Sequence, residues 1–229
     1  MLIYSTQQQT LRSDHMMKLL QPTLSATRET LTDVATFLRR DDSLSEVSVE
    51  NDSFAAISTK LLNITESSII KSDFTHTAVE HLDVLDTEFK GCNFTASKFA
   101  NSSWHVVMID GARCSGMLVS NSVLKNVTFK NSKLELVNFR FSRFENILFD
   151  GCIIDDADFY NATLKNVEFI NCTINSITFA SARMNAVDIS KSQIEGIKGV
   201  SSLKGVTISY DQLMQLAPSL ASEAGIKVK

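Results

Sequence analysis

The stretch FDGCIIDDADF, residues 149–159, sets one thiol, Cys152, among four carboxylates, Asp150, Asp155, Asp156 and Asp158. Thiolates and carboxylates are ligands for divalent metals, and a thiol beside a base is a nucleophile, so the spacing raises two chemistries at once. Cys92 and Cys172 join the pattern, because both lie at multiples of 20 residues from Cys152. Against this, the four cysteines form no CxxC pair, and His15, His76, His81 and His105 stand at no ligand or triad spacing from them. Phosphate-binding loops, dinucleotide fingerprints and GxSxG elbows are also missing from the sequence. The decision rests on which of these side chains share a face, and therefore on the elements that carry them.

Bulk properties narrow the field. The chain has 229 residues, 44% hydrophobic and 21% charged, which is an ordinary globular composition, and a net charge of −4. That balance argues against generic attraction to nucleic acid or anionic membranes, both of which need excess Lys and Arg. No run approaches 18 apolar residues and the first residues lack a basic-then-apolar leader, so the expectation is a cytoplasmic chain with reduced thiols.

A single pattern then organises most of the sequence. Taking every fifth residue from Leu44 to Ile194 gives 31 positions, of which only Thr59 is polar apart from the small thiol of Cys114. A period of five matches neither the 3.6 of a helix nor the 2.0 of a strand, so a coil must bring every fifth residue inward. Two residues before each centre runs a second series of small or β-branched residues, and the other three positions of each pentad hold mostly turn formers and charged groups. At a spacing of 20, like stacks on like: Leu134, Ile154, Ile174 and Ile194 form one column, and Val119, Phe139, Phe159 and Phe179 another. The column Gly91, Gly111, Asn131, Gly151, Asn171 predicts corners at positive φ, where these residue types are tolerated.

Residues 44–198 resemble the pentapeptide-repeat family, whose motif is a small residue, a polar one, Leu or Phe, and two variable residues; NATLK (161–165) and ADFYN (157–161) carry it. The resemblance implies an all-β solenoid, a right-handed quadrilateral β-helix with four pentads per coil. The phase does not slip over this span, which predicts a smooth rod of nearly eight coils, about 37 Å long at the inter-strand spacing of about 4.8 Å. Such a rod needs covered ends. The expected organisation is a flexible tail at 1–13, a helical N-terminal cap at 14–43, the repeats at 44–198 and a helical C-terminal cap at 199–229. Met17, Leu20, Leu24, Leu31, Val34, Phe37 and Leu38 predict one short and one longer helix before the repeats, divided near Pro22. Ser209 and Gln212 predict a capping box for a helix that buries Leu213, Leu216, Ala217 and Leu220, is kinked or divided by Pro218 and stops at Gly225.

Mapped onto pentads, Cys152 and Ala157 become small inward residues, whereas Asp150, Asp155, Asp156 and Asp158 become outward or corner residues. The expectation is therefore no metal, no cofactor and no catalysis. What remains is surface. The candidate partner-binding residues are Leu118, Phe141 and Tyr160, expected on one side of adjacent coils, and the acidic group Asp150, Asp155, Asp156 and Asp158. The C-terminal helix supplies dimer candidates Tyr210, Leu213, Met214, Leu216, Ala217 and Leu220. The family includes members that protect DNA gyrase from quinolones by presenting a duplex-like acidic rod. The resemblance thus adds a gyrase-binding DNA mimic as the alternative to a protein-binding scaffold, and a C-terminal helix that can mediate a homodimer. Over 44–198 the balance is 14 basic against 19 acidic residues, a net of −5, modest for imitating a row of phosphates.

Overall fold

The structure is a computed structural model and describes residues 19–227. Its elements in chain order are β1 (Glu29–Leu31), α1 (Val34–Phe37), β2 (Ser43–Ser45), β3 (Val47–Glu50), β4 (Ser58–Thr65), β5 (Ser68–Ile70), β6 (Ala78–Lys90) and β7 (Ser103–Asp110). They continue with β8 (Val123–Lys130), β9 (Lys133–Glu135), β10 (Arg143–Asp150), β11 (Ile153–Asp155), β12 (Thr163–Thr178) and β13 (Arg183–Lys198). A 3-10 turn (Val200–Ser202), β14 (Val206–Thr207) and α2 (Tyr210–Glu223) complete the chain. Together they form a parallel β-solenoid of about 9 turns.

The register is what the column spacing requires. Phe144 pairs with Leu124 on one side and Leu164 on the other, Ile154 with Leu134 and Ile174, and Phe89 with Ile109, each an offset of 20. Four faces follow, centred in one coil on Leu124, Phe129, Leu134 and Phe139; we call them first to fourth. Corners fall two residues after each centre. From Glu46 to Gly196 every fifth residue is left-handed except Leu61, His81 and Lys191. Several corners close with a four-residue turn whose third residue has positive φ, as when Ile57 N–H donates to Phe54 C=O (3.1 Å) and Ala162 N–H to Phe159 C=O (3.0 Å). Gly91 and Gly151 are at home there, and so is Asn; Val106, Leu136 and Phe141 are not, because their Cβ crowds the following carbonyl.

Inside, the centres stack as ladders. Phe129, Phe149 and Phe169 lie face to face, with ring centroids 5.0 and 4.6 Å apart, and Phe54, Phe74 and Phe94 do the same at 4.1 and 4.8 Å. The small inward residues do polar work at the corners, where the ladder leaves an amide unpaired. Ser122 N–H donates to Ser142 Oγ (3.0 Å), Ala112 N–H to Ser132 Oγ (3.0 Å) and Cys172 N–H to Ser192 Oγ (3.1 Å), one coil on each time. A larger side chain at these positions could not reach the amide without displacing the core, and a buried unpaired amide costs about 1–3 kcal/mol. Outside, Asn126, Asn146 and Asn166 bond side chain to side chain at 3.1 Å along one corner, a short amide ladder.

The ends depart from the sequence expectation in instructive ways. Met17 lies outside the described residues. Of the helices predicted over 14–43, the described part contains only the four-residue α1; Leu20 is exposed, and β1 pairs in parallel with β3 instead. The apolar spacing there was partly helical, but the open edge of the first coil presents unpaired backbone groups, and a strand satisfies them where a helix cannot. Val34 is fully buried against the core, its N–H donating to Asp52 Oδ2 (3.0 Å), so the lid is one strand and one helical turn.

At the other end α2 runs unbroken through Pro218, which neither divides it nor ends it. The carbonyl Pro218 fails to pair belongs to Met214, on the exposed side. The predicted capping box is present, and Gly225 ends the helix: Ile226 N–H donates to Ala221 C=O (2.8 Å) and Gly225 N–H to Ser222 C=O (3.1 Å). The buried face is turned relative to expectation. Gln212 and Leu216 are buried and Leu220 packs partly on the core, whereas Leu213 is exposed. Gln212 is drawn in because its Nε2 donates to Ile189 C=O (2.8 Å) and Ser192 C=O (2.7 Å), two carbonyls of the last coil that would otherwise meet no next coil.

Three outcomes follow for stability. A Cβ on Gly199 would lie 2.5 Å from Ala180 Cα and N at φ +82, so Gly199→Ala should lower the thermal midpoint by an amount equivalent to about 2 kcal/mol or more. Gly225→Ala, with open space around it, should cost only about 1 kcal/mol of left-handed strain. Leu136 is 65% exposed at φ +54, so Leu136→Asn should raise stability by about 1 kcal/mol in chemical denaturation.

Candidate interaction surfaces

The thiol and carboxylates that opened the sequence reading do not meet. All four cysteines are free and buried. Cys152 and Cys172 occupy the same inward column as Ser132 and Ser192 and make the serine's bonds: Cys152 Sγ donates to Phe129 C=O and Cys172 Sγ to Phe149 C=O, at 3.3 and 3.4 Å, as Ser132 Oγ does to Ile109 C=O at 3.4 Å. Burial pushes Cys92 up to about 11 and Cys114 to about 12, and contact with Cys172 together with burial holds the Cys152 thiol protonated. Among the described residues no three His, Cys, Asp or Glu groups converge as a metal site.

The four aspartates spread over three faces. Asp150 pairs across the ladder with Lys130, Asp156 lies at a corner 3.9 Å from Lys198 Nζ, and Asp158 lies 3.3 Å from Arg140 Nε and accepts from Tyr160 N–H. Asp155 sits between Glu135 and Asn175. Neighbouring coils do not extend an acidic patch: Glu135 is held by Lys133 (2.7 Å) and Ser115 Oγ (2.8 Å), which keep its carboxyl below the usual range, and one outward column alternates Lys90, Asp110, Lys130, Asp150. Along the rod the charge comes in bands. Residues 44–94 carry three basic and nine acidic groups, 95–149 seven and three, and 150–198 four and seven. Glu46, Glu66 and Asp86 form one acidic corner column, three coils long. Glu88, in the first band, is buried; burial works against its charge, but bonds from Lys90 (2.7 Å) and Ser68 Oγ (2.7 Å) outweigh it and hold the carboxyl low.

Of the apolar candidates, the structure joins two and separates the third. Phe141 and Tyr160 meet edge to face, centroids 5.7 Å apart, and the Arg140 guanidinium lies 4.8 Å over the Tyr160 ring while paired to Asp158. Leu118 is on the same fourth face but in its other outward column, bridging Lys98 and Asn138. Nothing in the sequence singles out Arg140, since an arginine at an outward position looks like any solvated charge. Phe141 is 47% exposed at φ +61, a position where Asn or Gly would be unstrained.

α2 presents two further surfaces. Tyr210, Leu213 and Met214 are exposed at 75%, 42% and 58%, and with Ala217 they form one stripe facing away from the coil. Of the predicted dimer residues, Leu216 and Leu220 instead face the core and cannot contribute to that stripe. On another side of the helix, a groove of about 980 Å³ separates α2 from the end of β13, lined by Ile194, Gly196, Asp211 and Gln215 among others. No helix among the described residues is long and apolar enough to cross a membrane.

Comparison with known proteins agrees with the coil. A family profile described as "Pentapeptide repeat region" matches residues 122–198. No curated protein matches the chain by sequence. Among solved structures, the chain is similar to HetL, a pentapeptide repeat protein involved in heterocyst differentiation regulation from the cyanobacterium Nostoc sp. strain PCC 7120, at 12% identity and TM-score 0.47, covering 76% of this chain and 94% of that one. It is also similar to a trypsin-treated form of QnrB1, a plasmid-mediated fluoroquinolone resistance protein, at 16% identity and TM-score 0.42, covering 82% and 91%. Rfr23 from the cyanobacterium Cyanothece 51142 matches at 11% identity and TM-score 0.16, covering 76% and 97%. Residues 122–198 thus match the pentapeptide-repeat profile, and the unbroken register of 20 carries the same coil back to residue 44.

Proposed function

We propose that the protein is a non-enzymatic scaffold, a rigid rod that binds a protein partner through its fourth face around Phe141, Tyr160 and Arg140. The carrying observation is Phe141: a large, half-exposed aromatic ring held at a left-handed corner, where it is strained and contributes nothing to the core. Backbone strain retained on a surface points to use of the side chain, and aromatic residues beside arginine are the groups that anchor protein interfaces. The burial of Cys92, Cys114 and Cys152, which keeps their thiols protonated, and the paired carboxylates support a binding role over a catalytic one.

The alternative, a DNA mimic that binds gyrase, needs a continuous negative stripe. Its best support is the column Glu46, Glu66, Asp86, but the basic band over 95–149 and the alternating column Lys90, Asp110, Lys130, Asp150 favour a mixed protein-binding surface. Capture from a cytosolic extract separates the two readings. Wild-type protein should retain a partner that Phe141→Asn loses at least tenfold while melting at the same temperature or higher, and neither protein should alter gyrase supercoiling with or without a quinolone. Protection of gyrase, or capture indifferent to Phe141, would overturn the scaffold reading in this form.

The stripe Tyr210, Leu213, Met214 and Ala217 supports a homodimer through α2. Light scattering at micromolar concentration should give twice the chain mass, and Met214→Glu should return it to the monomer mass; a monomeric wild type would end this idea.

A further inference from the structure

The last coil has an unfinished edge on its third face. In earlier coils that face hands the next coil the C=O of its small inward residue and the N–H of its corner residue: Thr173 N–H donates to Cys152 C=O, and Asp156 N–H to Asn175 C=O, each at 3.0 Å. Two coils on, the equivalent groups are Ser192 C=O and Gly196 N–H, with the backbone of Ile194 between them. Ser192 C=O is taken by Gln212 Nε2 at 2.7 Å. The ladder from β13 to later chain is confined to Val187 with Val206 and Asp188 with Thr207, so Ile194 and Gly196 keep next-coil-facing groups with no partner among the described residues.

This edge is one wall of the groove beside α2. Its floor is the last, incompletely covered layer of the core: Ile194 is 8% and Ile197 9% exposed, against 1% and 0% for Ile174 and Ile177 one coil earlier. The opposite wall is the side of α2 bearing Asp211, Gln215 and Ser219, distinct from the apolar stripe at Tyr210 and Met214. The charged residues lining the groove are Glu195 and Asp211, both acidic. An open strand edge, an apolar floor and an acidic rim in one groove together specify an occupant.

We propose that this groove is a strand-addition site for an extended segment of another protein, in which apolar residues over Ile194 and Ile197 alternate with Lys or Arg facing Glu195 and Asp211. The added strand supplies the backbone partners that a further coil would have supplied, its apolar residues close the core layer, and its basic residues meet the two carboxylates. The inference extends the protein-binding reading to a second surface, and does not depend on Phe141.

A displayed pool of random octapeptides, selected against the full chain and counter-selected against Glu195→Lys/Asp211→Asn, tests it. Enriched peptides should show alternating apolar and basic residues, and the strongest, made synthetically, should bind the double variant at least tenfold more weakly. N-methylation of the peptide's alternate amides should cost a further tenfold or more, and the bound peptide should slow hydrogen exchange of the Gly196 amide. The methylation and exchange arms use wild-type protein and hold even if the variant folds poorly, and Phe141→Asn should bind the peptide as wild type does. No enrichment over the counter-target, equal binding of the N-methylated peptide, or a peptide that dissociates a self-associated form of the chain, assigning the groove to a second copy, would each overturn the proposal.

Discussion

Parallel hydrogen bonding between residues 20 apart is the constraint on which the rest of the structure depends. To hold that register, each coil has to return to the same place after four pentads, and it does so through left-handed corners recurring every fifth residue with few exceptions. The narrow interior that results admits one central side chain per face and one small residue per corner. Ser122, Ser132 and Ser142 sit in those corners because their hydroxyls reach amides that the turning backbone leaves unpaired. Cys152 and Cys172 stand in the same geometry, their thiols donating to the carbonyls that serine hydroxyls reach in other coils.

Because the interior of the coil is filled by apolar side chains and the coil carries no long loops, recognition is left to outward side chains and to the ends. On the sides, several charges are answered by a nearby opposite charge, as Lys165 is by Glu145 at 3.1 Å. Such exposed pairs add little to stability, about 0–1 kcal/mol each, but they break up any long run of one sign. Against that background Phe141 stands out as an exposed aromatic at a left-handed corner that packs on Tyr160 beside Arg140. At the ends the solenoid must stop adding strands, and it stops differently at each: β1 and Val34 pair and cover the first coil, whereas Gln212 satisfies only two carbonyls of the last and leaves the third face open.

Legibility varied with how local the determining physics was. Leu134, Ile154, Ile174 and Ile194 announced their column, and Gly91, Gly111 and Gly151 their corners, because both depend on a spacing repeated through the sequence. The capping box of Ser209 and Gln212 was equally readable. Among the described residues the stretch before the repeats holds only the single turn α1 and strand β1, because the apolar spacing of Leu31, Val34 and Phe37 carries no record of the unpaired edge of β3 beside which they fold. Leu213 was assigned inward on helical periodicity alone; the amide of Gln212 turned the helix, and only the position of the carbonyls of Ile189 and Ser192 shows why.

The sequence by itself thus determined the coil, its register, its core columns and the inward placement of its cysteines, since each follows from a period that any two adjacent coils enforce. Tertiary structure decided what lies where the period ends or where columns meet: which cation answers Asp158, that Phe141 leans on Tyr160 while Leu118 stands apart, how the first coil is lidded, and that a strand edge stays open beside α2. Those depend on contacts between residues whose separation in sequence obeys no repeat, and periodicity is silent about them.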